Sequence, residues 1–231
     1  MCGRTSLYLP QAVVESRFDA EAKAPLEPRY NIAPFDDLPV IVDAEPDAID
    51  QYEWGFLPAW ADGPDDTYRP INARAETVAE KPMFRDATAG ARCLVLADGF
   101  YEWQEQVGGP SQPYRIERAD EQPFAMAGLY SEWSANGTTI RTVTIVTTDA
   151  NDLLEPIHDR MPVVLPEAVE RDWLEAESAA DAVDVLGPYP DDDMTAYPIS
   201  RGVNDPANDS AAVIEPVEPE SSSQAGLDDF A

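Results

Sequence analysis

Residues 91–103 read ARCLVLADGFYEW, and this stretch decides the fold class. The apolar run up to Ala97 reads as a strand, Asp98-Gly99 as a turn, and the aromatic segment after it as a second strand. Further β segments lie on both sides: 38–44 (LPVIVDA), 113–118 (PYRIER) and 124–130 (FAMAGLY). Residues 138–148, TTIRTVTIVTT, are the strongest strand candidate because β-branched side chains fill them. Helical spacing appears at 11–18, around 82–90, and at 166–176, where Pro166 opens PEAVERDWLEA; a short helix at 178–186 ends before Gly187-Pro188. Many strands with a few helices predict an α+β fold: a mostly antiparallel sheet, curved or barrel-like, with helices at its periphery.

The expected domain spans 1–203. From Asn204 onward, NDPANDSAAVIEPVEPESSSQAGLDDFA has no basic residue and a serine run, so 204–231 is expected to be a disordered acidic tail. The chain has 231 residues, 44% hydrophobic residues and five tryptophans, enough for one substantial core. No apolar run approaches the roughly 20 residues of a membrane helix, and no signal-peptide pattern opens the sequence. Cys2 and Cys93 sit in unlike contexts, so no disulfide is expected and a reducing, cytoplasmic setting is. A monomer is the default expectation.

Charge is the outlying property: 45 acidic against 15 basic residues, net −30. Such a surface disfavours simple electrostatic binding of polyanions. It also suits concentrated salt, where screening over roughly 3 Å at 1 M removes long-range repulsion. Only Lys23 and Lys81 among the basic residues are lysines, and the expectation is a protein of a high-salt cytoplasm.

Four short stretches can carry chemistry. MCGR puts Cys2 where loss of Met1 leaves an α-amine and a thiol on neighbouring carbons, a pair that attacks aldehydes as well as esters and amides. His158, the single histidine, follows Pro156 on a constrained turn that enters an apolar run, and is either a satisfied loop histidine or a proton shuttle. Glu102 in GFYEW points opposite to Tyr101 and Trp103 on a strand, as either an exposed charge or a carboxylate in apolar surroundings with a raised pKa. Asn72, Arg74 and Glu76 in INARAET share one face if extended, combining an orienting amide with an anion-gripping cation; otherwise Arg74 and Glu76 make a surface ion pair. WGFLPAW, YRPINAR, KPMFR and YEW interleave aromatic side chains with scarce arginines, as core packing or as a groove for a single nucleic acid strand. No CxxC occurs, and one histidine cannot build the usual zinc cluster, so neither metal nor cofactor is expected.

Taken together, MCGR, RYNIAP (29–34), WGFLPAW, INARAET, KPMFR, GFYEW, AGLY (127–130), TIVTTDAN (144–151) and HDRMPVVL resemble, in order, the SOS response-associated peptidase family. The resemblance runs from residue 2 to about 201. It implies covalent capture of abasic sites in single-stranded DNA by the terminal cysteine, and autoproteolytic removal of the leading residue. The family's catalytic positions fall on Cys2, Asn72, Glu102 and His158. Arg74, Arg160 and Arg4 are implied as phosphate ligands, Trp103 and Trp60 as platforms for base or sugar, and Arg85 joins the DNA-binding set. The match departs at Phe35-Asp36-Asp37, where a small hydroxylated residue is expected after the proline; two carboxylates there disfavour contact of that loop with DNA.

Two other readings start from the same letters. N-terminal-nucleophile glutamine amidotransferases also open Met-Cys-Gly, but need Asn-Gly segments at an oxyanion hole, and Asn136-Gly137 looks like a hairpin turn. A non-catalytic DNA-binding module would bind reversibly and indifferently to Cys2.

Overall fold

Residues 91–103 do form two strands, but the strands belong to different sheets. The computed structural model describes residues 2–64 and 67–218. Its first strands are β1 (Thr5–Leu7), β2 (Glu21–Ala22), β3 (Arg29–Ile32), β4 (Asp37–Val42), β5 (Glu45–Trp54), β6 (Asn72–Arg74) and β7 (Arg92–Ala97). After the bend at Asp98 come β8 (Gly99–Gln104), β9 (Gln112–Arg118), β10 (Phe124–Ala135), β11 (Thr138–Asp149), β12 (Arg160–Pro162), β13 (Val164–Leu165) and β14 (Met194–Pro198).

The strands β11-β10-β7-β4-β5 run side by side, and β5 then pairs with β11 in parallel through Thr142↔Glu53 and Val143↔Trp54. The circuit therefore closes as a barrel, which removes its free edges. A second sheet, β14-β9-β8-β1-β3, is antiparallel throughout and lies against the barrel. The curved, barrel-like α+β expectation is met. Asp98 makes the corner between the sheets: its N–H donates to Ser6 O, and its carboxylate accepts from Ser6 Oγ and the Tyr8 and Leu9 N–H groups.

The run CLVLA lacks alternation because both faces of β7 are covered. Cys93, Val95 and Ala97 join the cluster that holds Val40, Met126 and Ile145, whereas Leu94 and Leu96 join Val14 and Trp173 beneath the helices. Gly128 of AGLY sits where a Cβ would come within 2.8 Å of Cys93 Sγ, so β10 and β7 approach only because it has no side chain.

The helices α1 (Gln11–Phe18), α2 (Arg85–Gly90), α3 (Glu167–Glu175) and α4 (Ala179–Asp184) lie on the outside of the barrel, near their expected positions. Pro166 stands just before α3, and Ser178 caps α4 by accepting the Asp181 N–H. Arg92 is buried yet satisfied: it donates to the Thr88, Trp173, Leu174 and Ala176 carbonyls at the ends of α2 and α3. No helix among the described residues is long and apolar enough to cross a membrane.

One strand is not legible in the sequence, and one expectation needs correction. EPDAIDQYEW, which forms β5, is charged, and its buried Ile49, Tyr52 and Trp54 are spread among acidic residues. The tail does not begin at Asn204: residues 204–218 pack on the second sheet. Asp209 accepts from the Tyr30 and Asn31 N–H groups and from Arg29, Val213 is buried, and Ile199 bridges to Pro216. Acidic residues here are structural acceptors, which a composition argument cannot see. Residues 219–231 lie outside the described part of the chain.

Candidate active site at the seam of the two sheets

β1 carries the N-terminus into the space between the sheets. It pairs with β8 through Thr5↔Phe100 and Ser6↔Gly99, and with β3 through Thr5↔Ile32. The Tyr101 N–H donates to Arg4 O at 3.0 Å, so the β8 ladder continues to Arg4 and brings Cys2 towards Glu102 and Trp103. Cys2 is fully buried among the barrel's apolar side chains. Burial, with the Glu102 charge second, pushes its thiol well above the ordinary range, so the sulfur is held as SH.

Asn72 reaches the same point from the barrel. It opens β6, which runs parallel to β11 with Ile145↔Asn72 in register. The preceding Ile71 carbonyl is fixed by the Trp54 indole N–H (2.9 Å) and the Ile145 N–H (3.1 Å). Asn72 Nδ2 then donates to Cys2 O at 2.7 Å, while its buried Oδ1 has no hydrogen-bond partner among the described residues.

Glu102 is 1% exposed. Of the two readings left open, the carboxylate in apolar surroundings is the one found: burial pushes its pKa up to about 7. The strand alternation holds, since Tyr101 and Trp103 pack with Ile199 and Val203 on the other face.

His158 ends a helical turn capped by Asn151, whose Oδ1 accepts the Leu154 N–H; the His158 N–H donates to Leu154 O. Gln104 ties that turn to β8 by donating to Pro156 O. The ring's Nδ1 accepts the Arg160 N–H at 3.0 Å, which leaves the neutral imidazole with its proton on Nε2, 4.0 Å from Glu102 Oε2. Asp159 stands 3.1 Å from Nδ1, yet burial dominates and lowers the His158 pKa. One thiol, one unsatisfied amide oxygen, one carboxyl titrating near neutrality and one neutral imidazole thus meet at the seam. That set can bind a carbonyl compound, orient it and move protons to and from it.

The other expected residues divide. Arg160 is buried in ion pairs, with Nη1 2.6 Å from both Glu76 and Asp149 and Nη2 donating to the Thr147 carbonyl. Glu76 leaves the Asn72–Arg74 face because the chain turns at Ala75–Thr77, so its bidentate hydrogen bonds go to Arg160 rather than Arg74. Arg74 itself is exposed beside the site. Arg4 donates through Nη1 to Asn31 Oδ1 (2.7 Å) and Val203 O (2.6 Å), and the Trp103 indole to Asn204 Oδ1 (2.8 Å). Trp60, 63% exposed, rims a cavity of about 360 Å³ lined by Phe56, Pro58, Met83 and Tyr130. Arg85 lies on the adjoining α2 beside Asp86. No hydrogen bond or ion pair among the described residues joins Trp60 or Arg85 to the Cys2 cluster. No three His, Cys, Asp or Glu side chains among them converge as metal ligands.

One positioning residue went unnoticed in the sequence. Arg115 is fully buried, donating to Ser6 Oγ, Tyr101 Oη, Asp98 and Glu117, and its guanidinium lies where a Cβ on Gly99 would be, 2.4 Å away. The glycine of GFYEW is therefore required by an arginine sixteen residues later, and PYRIER offers no local signal of it.

The family model for "SOS response associated peptidase (SRAP)" matches residues 1–206. Abasic site processing protein YoaM of Bacillus subtilis is 39% identical over 222 residues, covering 93% of this chain and 98% of its own. Abasic site processing protein YedK of Escherichia coli is 35% identical over 209 residues, covering 86% and 91%. A crystal structure of a protein from Bacteroides thetaiotaomicron superposes with a TM-score of 0.84 at 29% identity, covering 94% of this chain and all of that one. With its motifs in order, its seam assembled and relatives matched over nearly their whole length, the chain belongs to the SOS response associated peptidase family.

Proposed function

We propose that this protein processes abasic sites in DNA by capturing them covalently, in single strands, through Cys2 after loss of Met1. The observation that carries the reading is the convergence of Cys2, Asn72 and Glu102, from the two sheets, with His158, from the turn before β12, at the seam. Relatives named abasic site processing proteins support it.

The freed α-amine, with an ordinary pKa of about 7.7–8.0, attacks the aldehyde of the opened deoxyribose. Glu102, with both protonation states present near neutrality, donates a proton to the departing hydroxyl, and water and a Schiff base result. The Cys2 thiol adds to the imine carbon; its proton passes to the imine nitrogen, and a five-membered thiazolidine closes with the high effective molarity of a neighbouring group. Because burial holds the sulfur as SH, the thiol must give up its proton as it attacks, and the imine nitrogen is the base that takes it. Asn72 orients the Cys2 carbonyl and offers its open Oδ1 to the adduct's N–H or hydroxyl groups. His158 exchanges protons with Glu102 during ring opening and reversal. Arg74 and Arg4 supply positive potential for the flanking phosphates, whereas Arg160, neutralised between Glu76 and Asp149, holds the backbone next to His158 in place. A duplex must first be opened at a few kcal/mol, which favours single strands.

Incubation with abasic single-stranded DNA is expected to give a heat-stable shifted band; its absence overturns the reading. The amidotransferase alternative has no support at the site. Asn136-Gly137 is a hairpin turn with φ of 52° and 80°, eight residues along β11 from the Asn72 partner Ile145, or roughly 27 Å. Release of ammonia from glutamine would restore it. We further propose that the acidic surface serves a monomer in concentrated salt; activity falling between dilute buffer and molar KCl would refute this.

A further inference from the structure

Phe35 breaks two rules at once. It holds a left-handed backbone, φ 73°, which costs a side chain other than glycine free energy, and the residue is 58% exposed. The surroundings over-determine this arrangement. The Phe35 N–H donates to Trp54 O at 2.8 Å, and the Trp54 N–H to Asp36 O at 2.9 Å. Gly55, at φ 150°, lets the ring lie so close that a Cβ there would be 3.0 Å from it. The Arg69 guanidinium stands 5.3 Å from the ring centroid, pinned by Glu53 and by hydrogen bonds of 3.0 and 2.9 Å to Gly55 O. One face of the ring is thus backed by peptide and cation, and the other is left to solvent.

Its place matters as much as its pose. Ile32, paired with Thr5, ends β3, and the chain then turns through Pro34 and Phe35, closed by the Asp36 N–H donating to Ala33 O; Ile32 and Trp54, which flank the turn, share an apolar cluster with Cys2. Trp54, whose backbone holds Phe35, also fixes the Ile71 carbonyl just before Asn72. The carboxylates that disfavoured DNA on this loop are partly accounted for: Asp36 turns inward, accepting from the Ala33 N–H and Arg29, while Asp37 stays exposed.

We infer that Phe35, braced by Gly55 and Arg69, is a stacking platform for the nucleobase next to the abasic site. The inference rests on the capture reading above and names one contact that positions the strand. A flat uncharged face is also what a protein of net charge −30 can use, since stacking keeps its strength in salt that screens phosphate contacts.

The test measures half-saturating DNA concentration for adduct formation on a single-stranded oligonucleotide. The residue flanking the abasic site is either adenosine or a tetrahydrofuran spacer, which lacks both base and aldehyde, on each side in turn, at 0.1 and 1 M KCl. Wild type should lose about tenfold when one flanking adenine is removed. Phe35→Ala should lose about tenfold with adenine present and be indifferent to its removal, at both salt concentrations. Phe35→Asn, which tolerates the left-handed backbone but has no stacking face, should behave as Phe35→Ala, and Phe35→Trp should restore the dependence. If wild type forms no adduct, the capture reading falls and the platform with it. If wild type forms the adduct but ignores both flanking bases, or Phe35→Asn keeps the dependence, the platform alone is overturned.

Discussion

The two faces of β8 carry two buried polar clusters that are built on opposite principles. On the Tyr101 face, Arg115, Asp98, Ser6 and Tyr101 satisfy one another, with Tyr101 Oη passing on to the Tyr30 carbonyl. None of these side chains has a buried polar atom left without a partner. On the Glu102 face, an amide oxygen is left open, a carboxyl is held near neutrality and a thiol is kept protonated. A filled network fixes the register of β1 on β8. On the proposed reading, the cluster with the open amide oxygen is where a substrate supplies the missing partner.

The largest effect should come from removing the sulfur. Cys2→Ala keeps an α-amine but cannot close the ring, so the heat-stable adduct should vanish. The Schiff base then acidifies the adjacent sugar carbon, and strand cleavage by β-elimination should appear on a denaturing gel. An undiminished adduct would move the chemistry away from Cys2.

Next comes Arg115→Met, which removes the only cation paired with the buried Asp98 carboxylate among the described residues and leaves Ser6, Tyr101 and Glu117 without its hydrogen bonds. It should destabilise the fold by about 3–5 kcal/mol in urea titration. A loss under 1 kcal/mol would mean the satisfied cluster is no more structural than the open one.

Glu102→Gln should act in the opposite direction. The folded pKa of about 7 lies above the ordinary 4.5, so the carboxyl is neutral in both states at low pH, and stability is lost as pH rises from 4.5 to about 7. The glutamine variant should therefore match wild type near pH 4 and exceed it by about 3 kcal/mol at pH 8. Its capture rate should fall roughly 10²-fold and lose the decline above pH 7 that protonated Glu102 imposes. Equal stability of the two proteins at pH 8 would show that Glu102 is not held neutral by burial.

The smallest effect on stability belongs to Asn72→Ala. It removes a 2.7 Å hydrogen bond and an unsatisfied oxygen together, so the cost should stay within about 1 kcal/mol. Capture should nevertheless slow about tenfold in single-turnover assays. A variant that unfolds but captures normally when folded would place Asn72 with the Arg115 cluster.

The sequence was most legible where one residue's surroundings are its own strand. β11 follows from its β-branched run, and the alternation around Glu102 predicted which way it points. Long-range partners were not legible. Asp98-Gly99 reads as a turn whether the flanking strands pair or part to different sheets, and only the Ser6 and Arg115 contacts decide it. Arg160, read through its motif as a phosphate ligand, lies between Glu76 and Asp149, residues far from it in the chain or set beyond a strand pairing. Residues 204–218 have a disordered composition, yet Asp209 finds the open N–H groups of Tyr30 and Asn31.

Intact mass of the wild-type protein, incubated with and without abasic single-stranded DNA, tests the central claim most directly. The free protein should weigh the full chain less Met1, and the adduct that mass plus the oligonucleotide less one water. Retention of Met1 in the adduct, or the same adduct formed by Cys2→Ala after boiling, would contradict it.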